Sequence, residues 1–245
     1  MNLAWGEVTG LAGRIANRLL PAHCVFCGQA LCTGHICRQC LPLLPWNDTF
    51  CVRCGQPLPA ALADNVPCAD CQAASPLFRK ARAPFVYAFP VDNAIKSLKY
   101  RRQLWYAPAL SALMQAAFER NFQQCDALVP VPLHRWRQLR RGFNQAVELS
   151  RVLARTNGLR ILTDVVRSRA TRSQSGLSAA ERKSNLRGAF GVSEPLRCRR
   201  PLIVDDVITT GTTATQLAAT LLHAGAAEVN VLAIARVDRF AHYTP

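Results

Sequence analysis

The sequence predicts an α/β protein with a parallel sheet, preceded by a small cysteine-rich module. Residues 201–222 begin with a short continuous apolar run, typical of a buried parallel strand, and continue with apolar residues at helical spacing. Nine of the eleven cysteines lie before residue 75, and eight of them form Cys-x-x-Cys pairs. This grouping is typical of a small metal-binding module.

Polar residues lie between that strand and helix: Asp205 and Asp206, expected at the strand end, and then threonines around Gly211. In α/β sheets, ligands sit at the carboxyl ends of the strands, and a helix N-terminus offers free N–H groups to an anion. Glycine allows close approach of the backbone, so the turn can hold one phosphate. The acidic pair suits ribose hydroxyls or a hydrated divalent cation. An ordinary turn with a solvated acidic pair is the alternative, but it gives this cluster no packing purpose.

The composition indicates a polyanionic partner. Half of the 245 residues are apolar, which suits one ordinary domain with a small appendage. The 30 Lys and Arg residues outnumber the 15 Asp and Glu residues, and the resulting net charge of +15 points towards nucleic acid.

We expect no membrane span and no secretion signal. The sequence has no run of about 18 apolar residues, which a transmembrane helix requires. Glu7, Arg14 and Arg18 interrupt the apolar residues where a signal peptide would have its hydrophobic region, so we expect a cytoplasmic protein. Residues 1–21 are expected to form an amphipathic helix that packs on the body of the protein, with contact to a membrane surface as the less favoured alternative.

Four Cys-x-x-Cys pairs predict about two structural zinc ions. They are Cys24 with Cys27, Cys37 with Cys40, Cys51 with Cys54, and Cys68 with Cys71. Each such turn presents two thiolates to a tetrahedral ion, and two turns complete a closed site. Sequence order favours one zinc on the first four cysteines and one on the last four, although the spacing also permits an interleaved pairing. A disulfide framework, the alternative, needs an oxidising compartment for which the chain carries no signal.

The composition becomes basic and loop-like from Pro76 to Pro84, where we place a domain boundary. The expected organisation is an N-terminal helix over 1–21, the cysteine-rich module over 22–75 and the α/β domain over 80–245. The predicted elements of this domain are a strand at 85–89, helices at 91–100 and 105–122, a strand at 126–132, a basic loop at 134–141, a helix capped by Asn144, a strand at 160–166 that pairs with 189–192, and a polar lid at 168–187. Lys96 and Lys99 are expected to face water.

Residues 201–213 resemble the 5-phosphoribosyl-1-pyrophosphate (PRPP) loop of the type I phosphoribosyltransferases: four apolar residues, two acidic residues and then Thr-Thr-Gly-Thr-Thr. The resemblance implies a parallel sheet with helices on both faces. It also implies that Asp205 and Asp206 contact the ribose of PRPP and are the catalytic residues if the protein is an enzyme, and that Mg²⁺ binds together with PRPP. The residues implied for the 5-phosphate are Thr209, Thr210, Gly211, Thr212 and Thr213. Arg140 and Arg141 would face the pyrophosphate.

Further motifs make the resemblance more specific. The four cysteine pairs, Ile95-Lys-Ser-Leu-Lys-Tyr100, Val129-Pro-Val-Pro132, Arg141-Gly-Phe-Asn-Gln145, Arg167-x-Arg169-x-Thr171-x-x-Gln174, Arg182-x-x-Asn185 and the PRPP loop are similar to those of the ComF/GntX family. That family joins a double zinc ribbon to a phosphoribosyltransferase-like domain and is implicated in competence and the use of extracellular DNA. The resemblance covers about residues 22–238. It implies a PRPP-binding protein that handles imported single-stranded DNA, with a competence or DNA-processing protein as a further partner.

Basic residues close to aromatic ones are the candidate contacts to single-stranded DNA, which is held by charge and base stacking. They are Lys96, Lys99, Arg101, Arg102, Arg135 and Arg137, near Trp105, Tyr106, Trp136 and Phe143 in the sequence. Two other functions are compatible with the motifs: an active phosphoribosyltransferase on a nucleobase or nucleotide, and a zinc-ribbon scaffold with an inactive domain. No residue pattern identifies an acceptor.

Overall fold

The computed structural model describes residues 22–31, 34–60, 66–167, 189–193 and 195–239. The chain divides into two compact units, Met1–Leu44 and Pro45–Pro245. The helix predicted over 1–21 and the lid predicted over 168–187 lie outside the described residues. The three-part organisation drawn from the sequence motifs, with boundaries at 22–75 and 80–245, stays a prediction.

In the first unit, the strands β1 (Ala22–His23) and β2 (Ala30–Leu31) form a short antiparallel hairpin. Cys24 and Cys27 lie in the loop of this hairpin, and a 3₁₀ turn at Leu41–Leu43 follows directly after Cys40. The hairpin and the turn thus carry the first two cysteine pairs.

The second unit contains most of the secondary structure of the described residues. In chain order its elements are α1 (Ala69–Ala73), β3 (Ala81–Arg82), β4 (Phe85–Val86), α2 (Val91–Arg101), α3 (Tyr106–Asn121), β5 (Ala127–Pro130), α4 (Arg135–Arg141), α5 (Gln145–Asn157), β6 (Arg160–Ile161), β7 (Val165–Arg167), β8 (Phe190–Val192), β9 (Pro201–Ile208), α6 (Thr212–His223) and β10 (Asn230–Arg236). Among these described helices, none combines the length and the apolarity that a membrane crossing needs.

A parallel sheet forms the centre of the second unit. Its strands lie in the order β3–β10–β9–β5–β6, and β4 pairs with β10 beyond β3. All of these pairings are parallel. The central strands β9 and β10 are the longest, and every residue of β10 is buried. This arrangement confirms the predicted α/β parallel sheet.

Successive side chains of a strand point to opposite sides, so the sheet has two apolar faces. Helices pack on both of them. On one face, Ile203 and Val231 pack with Leu217 and Leu221 of α6. The alternate residues of the same strands face α3 and α5, which pack against β10 and β9. Buried side chains on that side include Leu202, Val204, Leu232, Leu110, Met114, Leu149 and Leu153.

The basic segment predicted as a loop at 134–141 is the helix α4. The imidazole Nδ1 of His134 accepts a hydrogen bond from the Trp136 N–H at 3.4 Å, which caps the helix. Gly142, with φ 81°, ends it in the left-handed conformation. These start and stop signals outweigh the repulsion among the arginines. Asn144 caps α5 as predicted, since its Oδ1 accepts from the Ala146 N–H at 3.0 Å.

Two predicted strands are shorter than expected. The strand predicted at 85–89 ends at Val86, because its partner β10 ends at Arg236. The strand predicted at 160–166 is two strands: β6 joins the main sheet beside β5, whereas β7 pairs with β8. The predicted pairing with 189–192 is confirmed for β7, where Val165 lies opposite Val192.

The last two cysteine pairs belong to the same compact unit as the sheet. The Ala81 N–H donates to the Arg53 carbonyl at 2.7 Å, and Asn47 Nδ2 donates to the carbonyls of Gly55 and Ala83 at 3.0 and 3.2 Å. The segment around Cys51 and Cys54 is therefore hydrogen-bonded to the edge strand β3. We therefore expect that loss of structure around these two cysteine pairs would destabilise the edge strand β3, and the reverse.

Candidate functional site

The turn between β9 and α6 has the shape of an anion site. Gly211 has φ 79°, a conformation that other residues adopt at a cost of about 1 kcal/mol, and the chain enters α6 directly after it. Gly211 supplies no side-chain cap, and the first turn of α6 carries no acidic residue. The hydroxyls of Thr210 and Thr212 lie 2.8 Å apart. The Thr212 N–H donates to the Thr210 hydroxyl oxygen at 3.4 Å, and the next N–H groups of this first helical turn are of the kind that binds anions.

The acidic pair lies inside β9, because this strand continues to Ile208 beside β10. Asp206 is 3% exposed, and its Oδ1 lies 2.8 Å from Nζ of Lys99. The Asp206 N–H donates to Oδ1 of Asp205 at 2.8 Å. Two expectations are thereby wrong: Asp206 is buried within the strand rather than placed at its end, and Lys99 faces the acidic pair rather than water.

The charges of this group are coupled. Burial, together with the charge of Asp206, raises the pKa of Asp205 to about 8, although Lys99 opposes the shift. Burial alone would lower the pKa of Lys99, but the charge and hydrogen bond of Asp206 outweigh it, and the pKa is raised. The lysine therefore stays protonated at neutral pH, and it compensates the buried carboxylate of Asp206.

A cavity of about 410 Å³ brings the candidate residues together. Its wall includes Asp205 and Asp206, the turn residues Thr209, Gly211 and Thr213, the cationic side chains of Lys99, Arg141 and Arg167, and the rings of Tyr87 and Tyr100. Its volume falls in the range of small-molecule sites. Thr210 and Thr212 do not line this cavity, and their hydroxyls bond to each other.

The structure separates the two arginines predicted for the pyrophosphate. Arg141 lines the cavity, with its guanidinium 5.4 Å from the centre of the Tyr100 ring and its Nη1 2.6 Å from Oε1 of Gln145. Arg140 is exposed and is absent from the described wall of the cavity. Its backbone carbonyl instead accepts a hydrogen bond from Arg102 at 3.0 Å.

The name basic and aromatic surface is given to a set of exposed residues on α2, on α4 and in the segment before α3: Tyr100, Arg101, Leu104, Trp105, Trp136, Leu139 and Arg140. The residues Tyr100, Trp105 and Trp136 are 72%, 60% and 74% exposed. Arg102 ties α2 to α4 through the Arg140 carbonyl. Lys96 is bound to Asp92 at 2.6 Å, and the side chains of Arg135 and Arg137 lie outside the described part. Of the six predicted DNA contacts, Lys99 is thus assigned to the cavity.

Eight of the ten described cysteines form two groups of four in sequence order, Cys24 with Cys27, Cys37 and Cys40, and Cys51 with Cys54, Cys68 and Cys71. All ligand atoms within a group lie within 4.8 Å of one another. The Sγ atoms of Cys27 and Cys37, and those of Cys54 and Cys68, are 3.7 Å apart. A tetrahedral zinc with Zn–S bonds of about 2.3 Å requires sulfurs about 3.8 Å apart, so both groups fit structural zinc.

Backbone donors favour the charged form of these thiols. The N–H groups of Cys54 and Cys68 point at Sγ of Cys51 at 3.5 and 3.1 Å, and the Cys40 N–H points at Sγ of Cys37 at 3.3 Å. The side-chain hydrogen bond with Cys54 and the backbone N–H groups of Cys54, Cys68 and Arg53 lower the pKa of Cys51 to about 4, against the effect of burial. A thiolate is the form that binds a metal.

Comparison with known proteins gives the family. Residues 15–72 match the model of the double zinc ribbon domain family. The DNA utilization protein YhgH of Escherichia coli O6:H1 is 37% identical over 225 residues, which are 89% of this chain and 98% of that protein. Competence protein F of Haemophilus influenzae is 33% identical, over 85% of this chain and 91% of that protein. The chain belongs to the ComF/GntX family.

A solved structure of the glutamine PRPP amidotransferase from B. subtilis, complexed with ADP and GMP, is also similar. The similarity has a TM-score of 0.39 and 19% identity, and it covers 57% of this chain and 30% of that chain. At this level it does not bear on function.

The motifs that indicate the ComF/GntX family converge on the cavity. Lys99 and Tyr100 come from the 95–100 motif, Val131 from the motif that ends β5, and Arg141 and Gln145 from the motif between α4 and α5. Arg167 also lines the cavity, and the rest of its motif, with Arg182-x-x-Asn185, lies outside the described residues.

Sequence reasoning missed some residues of this site. Helical spacing, with Val91, Ile95 and Leu98 on the inward face, predicts that Lys99 faces water, and the apolar pattern predicts that Tyr87 lies within a strand. Tyr87 follows β4 directly, at the carboxyl end of a parallel strand, which is where ligand contacts are expected. That position was the available signal for Tyr87. Nothing local distinguished Lys99 from Lys96, because their difference depends on which side of α2 meets β9.

Proposed function

We propose that this ComF/GntX protein binds PRPP and handles imported single-stranded DNA in the cytoplasm, in competence or in the use of extracellular DNA. The observation that carries the proposal is the cavity that joins the acidic pair, the turn before α6 and three cationic side chains. An acidic pair selects hydroxyls, a helix N-terminus selects phosphate, and clustered cations select a second anionic group. PRPP carries all three kinds of group.

The residues fit the parts of PRPP as follows. The 5-phosphate would lie at the turn around Gly211, and the ribose hydroxyls at Asp205 and Asp206. The buried Oδ2 of Asp206 lacks a hydrogen-bond partner among the described residues, so it has the capacity to accept from a ribose hydroxyl. Lys99 and Arg141 would face the pyrophosphate, and Mg²⁺ bound with PRPP would supply further charge neutralisation there.

The DNA part of the proposal is supported by the basic and aromatic surface. Its exposed rings of Tyr100, Trp105 and Trp136 are unusual outside an interface, and they lie among arginines. Bases stack on such rings while arginines neutralise the phosphates. The relatives named for competence and for DNA utilization point in the same direction.

A second candidate is an active phosphoribosyltransferase, in which a nucleobase or nucleotide acceptor attacks the ribose as pyrophosphate leaves. It is favoured by the same cavity, whose tyrosines Tyr87 and Tyr100 offer apolar surface beside the acidic pair. Asp205 and Asp206 would then stabilise the positive charge that develops on the ribose. A screen for pyrophosphate release over bases and nucleotides decides between the two functions.

Calorimetric titration with PRPP and Mg²⁺ tests the binding site. Wild-type protein should bind, and Asp206→Asn should weaken binding at least about tenfold, the value of one lost charged hydrogen bond, whereas Asp205→Asn should weaken binding by as much only above pH 8, where Asp205 is ionised. Asp92→Asn is the matched control, because it removes an aspartate of α2 that pairs with Lys96 outside the described cavity wall. Equal affinity in all three variants would contradict the site.

Fluorescence titration with single-stranded and duplex DNA tests the surface. Trp136→Ala and Arg101→Glu should weaken single-strand binding, and wild-type affinity should fall roughly tenfold or more between 50 and 200 mM salt. Arg151→Glu, on the exposed side of α5, makes the same charge change and should have a smaller effect. Equal affinity for both forms of DNA, or equal losses in the two charge variants, would contradict a single-strand site here.

A further inference from the structure

A second cleft, of about 290 Å³, lies at the amino ends of the parallel strands and is called the amino-end cleft below. Lys80 directly precedes β3, Arg200 directly precedes β9, and Asn230 is the first residue of β10. The cavity with the acidic pair lies at the carboxyl ends of the same strands. Because β9 has eight residues and a strand rises about 3.3 Å per residue, roughly 25 Å separate the two ends.

The amino-end cleft is also separate from the basic and aromatic surface. Trp105 of that surface directly precedes α3, whereas Arg120 of the cleft lies in the last turn of the same helix. A helix of 16 residues is about 24 Å long, since each residue adds about 1.5 Å. Neither the proposed PRPP site nor the proposed single-strand contacts therefore use this cleft.

Backbone hydrogen bonds fix the positions from which two cationic side chains of the cleft extend. The Val231 N–H donates to the Lys80 carbonyl at 3.0 Å. The carboxylate of Asp126 accepts from the N–H groups of Arg199 and Arg200 at 2.7 and 3.0 Å. The cleft is thus built on the edge of the sheet rather than on a free loop.

The wall has four cations and only two carboxylates: Arg79, Lys80, Arg120 and Arg200 against Glu119 and Glu228. Both oxygens of Glu228 are occupied, one by Arg79 at 2.5 Å and the other by Asn230 Nδ2 at 2.8 Å. In the part of the chain that the structure describes, Lys80, Arg120 and Arg200 form no ion pair. The wall keeps a surplus of two positive charges without a counter-ion.

Lys80 lies in an environment that an anion would improve. Its Nζ is 5.4 Å from the centre of the Phe122 ring, which is buried beneath it. Burial, followed by the positive charges of Arg82 and Arg79, lowers the pKa of Lys80. A bound anion would oppose both effects, because it favours the charged form of the lysine.

The wall is suited to phosphate rather than to a base. Apart from Phe122 and Cys125, which are both buried, every described residue of the wall is polar, so none of them offers a ring for stacking. The volume lies just below the roughly 300–1,000 Å³ of sites that enclose a whole small molecule. The net charge of +15 favours a polyanion as the source of the phosphate.

We propose that the amino-end cleft binds phosphate groups of a nucleic-acid backbone, as a second DNA contact that is independent of base stacking. The choice of ligand rests on the proposed DNA binding. Arginine forms paired hydrogen bonds with phosphate, and lysine adds a point charge. Phosphates occur in both single-stranded and duplex DNA, so the cleft binds both forms, whereas the basic and aromatic surface selects single strands.

The test measures binding of the full-length protein to a fluorescent single-stranded oligonucleotide and to its duplex, over roughly 50 to 200 mM salt. Lys80→Gln and Arg200→Gln should each weaken binding of both forms, and each should reduce the slope of log affinity against log salt by about 0.7 to 0.9. Lys80→Arg keeps the charge and should keep the slope. Arg155→Gln removes an exposed arginine of α5 outside the described wall, and it should leave the slope unchanged.

The outcomes separate the cleft from the proposed function. Wild-type protein that binds neither form of DNA would overturn the DNA part of that function, and the cleft with it. Losses in Trp136→Ala alone, with both cleft variants equal to Arg155→Gln, would overturn only the cleft. Losses in the cleft variants alone would support the cleft and contradict the basic and aromatic surface. If Lys80→Gln weakens a nucleoside monophosphate as much as the oligonucleotide, one phosphate is sufficient, and the assignment to a backbone is wrong.

Discussion

The Nζ atom of Lys99 lies 2.8 Å from Oδ1 of Asp206, and both side chains are largely buried. The pair joins α2 to β9, two elements that are about a hundred residues apart in the chain. It places a fixed cation against the acidic pair before any ligand is bound. A lysine in this position contributes a positive charge to the cavity and orients Asp206, whose other oxygen is buried and has no hydrogen-bond partner among the described residues.

Loss of that lysine should destabilise the fold. Lys99→Met leaves Asp206 buried without its counter-charge, and breaking a buried pair typically costs about 3–5 kcal/mol. The double variant Lys99→Met with Asp206→Asn should recover part of that loss, because it removes both charges. Urea unfolding measures both. The control Lys96→Met breaks a pair with Asp92 that is half exposed, and should change stability by less than about 1 kcal/mol. Equal effects at the two lysines would contradict the burial of the Lys99 pair.

The raised pKa of Asp205 predicts a pH-dependent effect on stability. Its pKa rises from the ordinary 3.8 to about 8, so the folded protein keeps a proton that the unfolded chain has released. The stabilisation that this proton gives is complete below the unfolded pKa and is lost as pH rises towards the folded one. Asp205→Asn removes the titration. The unfolding free energy of the variant relative to wild type should therefore increase by on the order of 1 kcal/mol or more from pH 5 to pH 9, without PRPP. A difference that is independent of pH would contradict the shift.

The sequence was sufficient for features that depend on local order. The apolar run at 201–204, the threonines after it and the eight paired cysteines predicted a parallel strand, an anion turn and two metal groups without knowledge of any distant contact. Asn144 is a further case, since a cap depends only on its own helix. Such features follow from neighbours within a few residues. The strand, the turn at Gly211, the Asn144 cap and the two cysteine groups are present in the structure, whereas anion binding at the turn stays a prediction.

Features that depend on pairing across the chain could not be predicted in the same way. Asp206 is buried because β9 is extended by its register with β10, in which Ala235 lies opposite Val207 and Arg236 opposite Ile208. Lys99 and Lys96 are equivalent in the local pattern, and only the packing of α2 separates them. The basic segment at 134–141 is helical because His134 and Gly142 delimit it, whereas its charge suggested a loop.

Metal analysis should find about two zinc ions per chain in protein purified without chelator. Cys51→Ser should lower the content to about one, because Cys51 is a predicted ligand whose sulfur accepts N–H groups from two other ligand residues, and these hydrogen bonds favour its thiolate form. The midpoint temperature of thermal unfolding should also fall, because this cysteine group is hydrogen-bonded to the sheet edge through Arg53 and Ala81. Cys125→Ser, a buried cysteine outside both groups, is the control and should keep both ions. A full zinc content in Cys51→Ser would contradict the assigned ligands.

Gly211→Ala should show whether the conformation of the turn before α6 matters for PRPP binding beyond its effect on the stability of the fold. Gly211 has φ 79°, and a Cβ there would meet no atom within 4 Å, so the substitution changes backbone conformation without creating a clash. The expected loss of stability is about 1 kcal/mol, the usual cost of placing alanine in the left-handed region.

Gly158→Ala is a matched control, because Gly158 has φ 65°, would also have nothing within 4 Å of an added Cβ, and ends α5 outside the described cavity wall. Both variants should lose similar stability in urea, but only Gly211→Ala should also weaken PRPP binding, by about tenfold, since relaxing the turn moves the N–H groups that would hold the phosphate. Equal PRPP affinity in the two variants would show that the conformation of Gly211 serves only the entry into α6.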